Sequence, residues 1–212
     1  MARKTEAERK HELVQAAIQE VGASGTLNVS VGQIAKAAGV SPGLAFHYFH
    51  DKDGLLLAAI RHILSIYASE VNRAVKAAVG PRARVEAIIR ASFGEGSFER
   101  HAIGAWINFY ALALRSDPAK RLLQVYQRRL QSNLVHALRP LCGARAPDVA
   151  RRIGGLIDGL YLRYALDPDT NHGAEGASHV LRALEAELAL AAAEGPAPLD
   201  PSPTSPLAGP QD

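Results

Sequence analysis

Apolar residues recur at three- and four-residue spacing along most of this chain, which is the period of a helix with one buried face. Leu13, Val14, Ala17, Ile18 and Val21 form the first such stripe. Thr5 and Glu8 ahead of it make a capping box, and Gly22 stands where the stripe stops, so a helix is expected to close there. From Val29 to Leu56 the signals crowd together. Ser30 and Gln33 form a second capping box, Ile34, Ala35 and Ala38 supply a small apolar face, and Gly39 can take the left-handed conformation that ends a helix. Val40 fills the turn, Ser41 caps the next helix, and Pro42 falls at its first position, where a missing N–H costs nothing. Asp51 then caps a long helix over 52–79, stopped by Gly80-Pro81. Two short helices around a tight turn, with a third behind, describe a helix-turn-helix.

Beyond Pro81 the period stays helical, with helices expected over 81–93, 98–115, 118–141, 147–166 and 174–194. No stretch alternates as a strand does, so the fold class is all-α. The organisation expected is a three-helix helix-turn-helix DNA-binding domain over 1–52 and a second helical domain over 53–194, to which the resemblance described below assigns effector binding and dimerisation. Six of the twelve prolines fall in the last seventeen residues, so 195–212 is expected to be a disordered proline-rich tail.

The second short helix carries the information. Phe49 with Leu44 or Ala45 would face inward, leaving Pro42, Gly43, Phe46 and His47 outward near the helix start, where a recognition helix meets base edges. Tyr48 and Lys52 lie a turn further on and can reach phosphates, which position a protein without reading sequence.

Composition changes this picture little. The chain has 212 residues, 48% hydrophobic and 21% charged, which suits a globular protein able to bury a sizeable core. A single cysteine, Cys142, excludes an internal disulfide and fits a reducing cytoplasm. The charged start, MARKTEAERKH, has no apolar segment behind it, and the longest apolar run, near 102–114, is too short for a bilayer; neither a signal peptide nor a membrane partner is expected. The net charge is only +3, and over residues 1–55 Arg3, Lys4, Arg9, Lys10, Lys36 and Lys52 are balanced by Glu6, Glu8, Glu12, Glu20, Asp51 and Asp53. The excess positive charge lies around Arg115 to Arg139, so DNA binding rests on motif geometry and not on bulk electrostatics. Arg3 and Lys4 either reach a neighbouring phosphate or minor groove or belong to a frayed terminus.

The string Gly39, Val40, Ser41, Gly43, Tyr48, Phe49, Lys52 and Leu55 resembles the DNA-binding signature of the tetracycline-repressor (TetR) family. HYFHDKDGLL, from His47 to Leu56, is closer still to the branch of choline-responsive repressors of glycine-betaine synthesis, the BetI type. Ala105-Trp106, RRLQSNL (Arg128 to Leu134) and GLIDGLYLR (Gly155 to Arg163) resemble the effector domain of the same branch, so the resemblance covers nearly everything from Lys10 to Leu190. It implies DNA contacts at Ser30, Gln33, Ser41, Pro42, Gly43, Phe46, His47, Tyr48 and Lys52. Small Ala45 and bulky Phe46 depart from the family habit, so the operator sequence does not carry over.

Trp106, Phe109 and Tyr110 fall at i, i+3 and i+4, and Asp158 and Tyr161 at i and i+3, with Tyr164 a further turn on. Aromatic rings around one carboxylate recognise a quaternary ammonium; aromatics at this spacing also serve as ordinary core. Spacing by itself puts core packing ahead, and the resemblance brings the ligand role level with it for Trp106 and Asp158 as a group. Gly155 and Gly159, with Ala177, Leu181, Leu184 and Leu188, could pack within one protomer or form a seam against a partner; the resemblance implies a four-helix dimer interface, matching a palindromic operator. His47 and His50 are three apart but lack a third ligand, and Cys142 has no base partner, so neither a metal nor a cofactor nor enzymatic chemistry is expected. The reading is a cytoplasmic homodimeric repressor released from double-stranded DNA by a small-molecule effector, with choline or a related cation in first place. A TetR-type repressor answering a lipophilic drug-like ligand is the alternative, ahead of an all-α enzyme or an architectural DNA-binding protein.

Overall fold

A computed structural model describes residues 4–94, 100–165 and 173–194, and every described element is helical. The proline-rich tail expected over 195–212 and the start expected at residue 98 lie outside the described residues. The helices are α1 (Glu6–Ser24), α2 (Val31–Ala37), α3 (Pro42–Phe49), α4 (Lys52–Ala77), α5 (Pro81–Ser92), α6 (Arg100–Ala113), α7 (Asp117–Cys142), α8 (Ala146–Ala165) and α9 (Gly173–Glu194), with a short 3₁₀ turn at Gly143–Arg145.

The termini close as their residues dictate. Both predicted capping boxes form: Thr5 with Glu8, and Ser30 with Gln33, whose Oε1 accepts from the Ser30 N–H at 2.7 Å. Ser41 Oγ accepts from the Leu44 amide and Pro42 opens α3. Asp51 Oδ1 accepts from the Gly54 amide at 2.7 Å. The corner between α3 and α4 is severe. His50 sits at φ 66°, and a Cβ on Gly54 would stand 2.2 Å from the Phe49 carbonyl oxygen, so only glycine lets α4 leave at this angle.

One predicted terminus moves. Helix α1 runs past Gly22 to Ser24, and Gly25, at φ 64°, is the left-handed residue that ends it. Gly22 is used differently: a Cβ on Gly104 would lie 2.7 Å from the Gly22 carbonyl oxygen, so α1 and α6 cross backbone against backbone.

Two clusters fill the interior. The first joins α1, α2, α3 and the start of α4 to Ala105, Trp106, Phe109 and Leu112 of α6 and to Ala119 and Leu123 of α7. The packing therefore does not part at residue 52. The second gathers the far half of α4 with α5, α7, α8 and α9 around Ile88, Leu134, Leu138, Ile153 and Leu184. The chief neighbour of α6 is α1, because the paired glycines let those two helices approach closely, and α4 touches α6 as well. Among the described residues helix α4, not the 102–114 run, is the one long and apolar enough by composition to cross a bilayer. Here it lies among helices, with Leu55, Leu56, Ala59, Ile60 and Val71 buried and Asp53, Arg61 and Arg73 exposed.

Candidate nucleic-acid interface and effector cavity

Eight residues cannot hold a helix by themselves, so α3 depends on its neighbours. Ala45, 1% exposed, is its anchor, with Leu44, Tyr48 and Phe49 half-buried beside it. The opposite face presents Pro42, Gly43, Phe46 and His47 to solvent, and Phe46 is 48% exposed. A large aromatic ring held out by a short, well-capped helix is available for groove contacts. Tyr48 lies beside His47, ring centres 5.5 Å apart, and under Lys10 of α1, whose ammonium stands 5.2 Å from the ring centre. Lys52 is half-buried at the start of α4. Ser30 and Gln33 face solvent at the start of α2, and the capping box occupies the Gln33 carbonyl oxygen, leaving its NH₂ outward. All nine residues assigned to DNA thus lie at α2, α3 or the first residue of α4 or cap them.

The second site is a cavity of about 430 Å³ between α1, α4, α5, α6, α7 and α8. Five aromatic side chains line it: Tyr67, Trp106, Tyr110, Tyr126 and Tyr161. Trp106 packs edge-on against Tyr110 and Tyr126, both at 5.4 Å, and Tyr126 packs against Tyr67 at 5.4 Å. Asp158 stands on the same wall and accepts a hydrogen bond from the Tyr126 hydroxyl at 3.1 Å. The Ser92 hydroxyl donates to the Ile88 carbonyl and so accepts from the Tyr67 hydroxyl, 2.9 Å away. Among the described residues no Lys or Arg lines the cavity.

Burial raises the Asp158 carboxyl above the ordinary aspartate value, and the Tyr126 hydrogen bond pulls it part of the way back. Burial also pushes Tyr67 up to about 12 and raises Tyr110, Tyr126 and Tyr161, which therefore stay neutral. An ionised Asp158 ringed by neutral aromatic faces is short of one positive charge. At the α1 side, Gln15 and His62 also line the cavity, their side-chain nitrogens 2.6 Å apart. Burial, and behind it the neighbouring His11, lowers His62 and keeps that imidazole neutral.

Four of the five residues assigned to the ligand, Trp106, Tyr110, Asp158 and Tyr161, come together here. Phe109 does not: it is fully buried in the first core cluster. At about 100° per residue Tyr110 lies roughly 40° to one side of Trp106 and Phe109 roughly 60° to the other, which turns Phe109 away from the cavity. Tyr67 and Tyr126 escaped the sequence reading because each is an isolated aromatic on a long helix. Among the residues assigned to a partner seam, Gly155 and Gly159 are exposed with open space where a Cβ would go, and Leu181 and Leu188 are half-buried. Leu184 is corrected: it is 0% exposed inside its own protomer's core and unavailable to a partner.

A capped recognition helix and a ligand cavity on one continuous helical frame define a DNA-binding regulator of the helix-turn-helix class. The comparisons make this specific. Residues 13–59 match the family of bacterial regulatory proteins of the tetR type, and residues 81–189 match the family described as BetI-type transcriptional repressor, C-terminal. The HTH-type transcriptional regulator BetI of Brucella suis biovar 1 is 49% identical over 162 residues, covering 76% of this chain and 82% of that protein. Its namesake from Rhizobium meliloti is 46% identical over 159 residues, covering 74% and 78%. Among solved structures, a putative transcriptional regulator from Pseudomonas aeruginosa PAO1 superposes with a TM-score of 0.80 at 26% identity, over 91% of this chain and 96% of that one. A putative transcriptional regulator from Saccharomonospora viridis, solved in complex with choline, shares the fold with a TM-score of 0.75 at 18% identity, over 85% and 97%. The chain belongs to the TetR family of transcriptional regulators, in its BetI-type branch. Members of this family are regulators and not enzymes.

Proposed function

We propose that this protein is a homodimeric repressor that holds a palindromic operator in the cytoplasm and releases it when choline or a related quaternary ammonium enters the cavity. The observation that carries this reading is the buried Asp158 among five aromatic rings, with no Lys or Arg among the described residues of the wall. A trimethylammonium group cannot donate a hydrogen bond, so it is held by aromatic faces and by charge, and both are present. The Saccharomonospora viridis regulator, which binds choline within the same fold, supports the assignment, as do the BetI relatives. A buried carboxylate counts against the neutral lipophilic ligand kept as the alternative.

On DNA, α3 enters the major groove with Pro42, Gly43, Phe46 and His47 toward the bases, while Ser30, Gln33, Ser41, Tyr48 and Lys52 meet the backbone. The second protomer docks through the exposed faces of α8 and α9, around Gly155 and Gly159, with Leu181 and Leu188 at the edges. The two recognition helices then stand about 34 Å apart, one turn of the duplex. A ligand can release DNA only by binding the DNA-incompetent conformation better, by about 1–3 kcal/mol for typical coupling. The cavity wall includes Gln15 and Ile18 of α1 and Ile63 and Tyr67 of α4, so occupancy bears on the recognition unit through both helices.

Titration calorimetry with choline, paired with an operator mobility-shift assay, tests the reading. Wild type should bind choline saturably and lose operator as it does. Asp158→Asn should bind operator normally and choline at least tenfold more weakly, a loss of about 1.4 kcal/mol or more. Absence of choline binding at millimolar concentration, or an unchanged response in the variant, removes the cation from the reading and leaves the repressor.

A further inference from the structure

The cavity has far more room than choline needs. A closed apolar cavity of about 150 Å³ accommodates benzene, a molecule of roughly choline's bulk. The space here is about 430 Å³, nearly three times as large. The cation-binding groups take only part of the wall, where Asp158 meets Tyr126 and Tyr126 packs on Trp106. Much of the rest is aliphatic: Ile63, Leu64 and Ile66 from α4, Ile157 and Leu162 from α8. Ile66 is 45% exposed, so an apolar rim on α4 stands in water beside the cavity, while Leu162, 46% exposed in the protomer, lies within about 20° of Gly155 on the α8 face proposed to meet the partner. Two of the remaining polar groups, Gln15 and His62, are engaged with each other.

We propose that the effector class extends to quaternary ammonium compounds bearing an aliphatic tail, alkyl or acyl, and that these bind more tightly than choline. The head sits at Asp158 among the rings, and the tail runs along Ile63 and covers the exposed Ile66 on the rim of α4. This rests on the cation reading above. It adds a second determinant, the length of the tail, for which choline itself is short.

A homologous series separates the two. Calorimetry with tetramethylammonium, choline, butyltrimethylammonium, hexyltrimethylammonium and decyltrimethylammonium, all below their micellar concentrations, should show affinity rising about fourfold per methylene until the space is filled, the equivalent of ~0.8 kcal/mol per buried CH₂. Operator release should follow the same order. Ile66→Ser, a change at a half-exposed position, should shrink the increment per methylene. Affinity that stays flat or falls beyond choline would overturn the tail assignment while leaving the cation reading intact. An increment unchanged in Ile66→Ser would overturn the assigned path. A bis-quaternary compound of hexyl span binding tighter than hexyltrimethylammonium would place a second charge near Glu70, the other carboxylate on the wall, and overturn it as well. Failure of tetramethylammonium and choline alike to bind, or binding indifferent to Asp158→Asn, would break the cation reading itself.

Discussion

In α2 and α3 every N-terminus is closed by a side chain bonded to an amide three residues on, whereas the cavity takes its walls from six helices spread over some 150 residues of chain. Ser30, Ser41 and Asp51 need only their own neighbours in sequence to do their work. Tyr126 needs α7 to lie against α6 and α8 before its hydroxyl can meet Asp158. The recognition unit is specified at short range and the effector site at long range. Substitutions should therefore behave differently in the two, and the following ones test whether they do.

The largest effect is expected outside both regions, on the face proposed to pair two copies. Gly155 is exposed with open space around its missing Cβ, so leucine fits within the protomer, and replacing a mid-helix glycine should stabilise α8 by up to about 1 kcal/mol. In the dimer the same side chain would push the partner away. Gly155→Leu should give a folded monomer by light scattering, with operator affinity down about 10²–10⁴-fold because two linked contacts become one. A dimer with wild-type operator affinity would move the interface elsewhere.

Next comes the joint between the two regions. Gly104→Val would drive a Cβ to within 2.7 Å of the Gly22 carbonyl oxygen, and backbone cannot swing aside as a side chain can. A cost of about 3 kcal/mol follows from overpacking of this kind. In a chain of this size that lowers the thermal midpoint by roughly 6–12 °C, measurable by circular dichroism. A loss below 1 kcal/mol would mean the helices can part freely, and that the recognition unit is far more independent of α6 than its packing implies.

The short-range region is tested by a pair of variants. His47→Ala should cost about 1–3 kcal/mol on operator and relax preference at one base pair, with little change on random DNA. Lys52→Ala should weaken both kinds of DNA alike and reduce the slope of log affinity against log salt by about one. Identical behaviour of the two variants on both kinds of DNA would reverse the assignment of bases and phosphates along α3.

The smallest effect probes the long-range site. Tyr126→Phe removes the hydrogen bond that holds Asp158 down, so the carboxyl should rise further and choline affinity at neutral pH should fall about fivefold, the worth of one hydrogen bond near 1 kcal/mol. The sign of the pH dependence follows. The folded value of Asp158 lies above its unfolded one, so its contribution to stability is complete below the ordinary aspartate range and is lost as pH rises through the raised value. Choline binding runs the other way, weakening as pH falls through that value, because only the carboxylate attracts the cation. Asp158→Asn should flatten both curves, read by thermal shift and calorimetry across that window.

The same contrast explains what could be read before any coordinates. Caps, the opening proline and Gly39 at φ 68° are local rules, and they located α2, the turn and α3 to within a residue. Trp106 with Tyr110, and Asp158 with Tyr161, were legible as pairs because each pair shares one helix face. Tyr67 and Tyr126 were not, since nothing near either one in sequence marks it apart from any buried tyrosine. Leu184 carries the same apolar signal as Leu181 and Leu188, and only packing shows that it points inward. Gly22 was assigned to a helix end because a glycine at the close of a stripe usually is one, and its actual partner lies some eighty residues away.

That glycine contact has a mechanical consequence. A crossing cushioned by side chains can absorb a small push through rotamer changes, but Gly22 and Gly104 offer no side chain to yield. The crossing also sits near one end of α1, while Lys10, stacked on Tyr48 of the recognition helix, sits near the other, about 18 Å away at 1.5 Å per residue. Helix α1 is thus a lever pivoted at its short end. A tilt of about 5° imparted where Trp106 would meet the proposed ligand, only two residues from the pivot, would carry Lys10 sideways by roughly 1.5 Å over that arm. Such a displacement is enough to spoil hydrogen bonds to DNA, whose useful range is only about half an ångström wide.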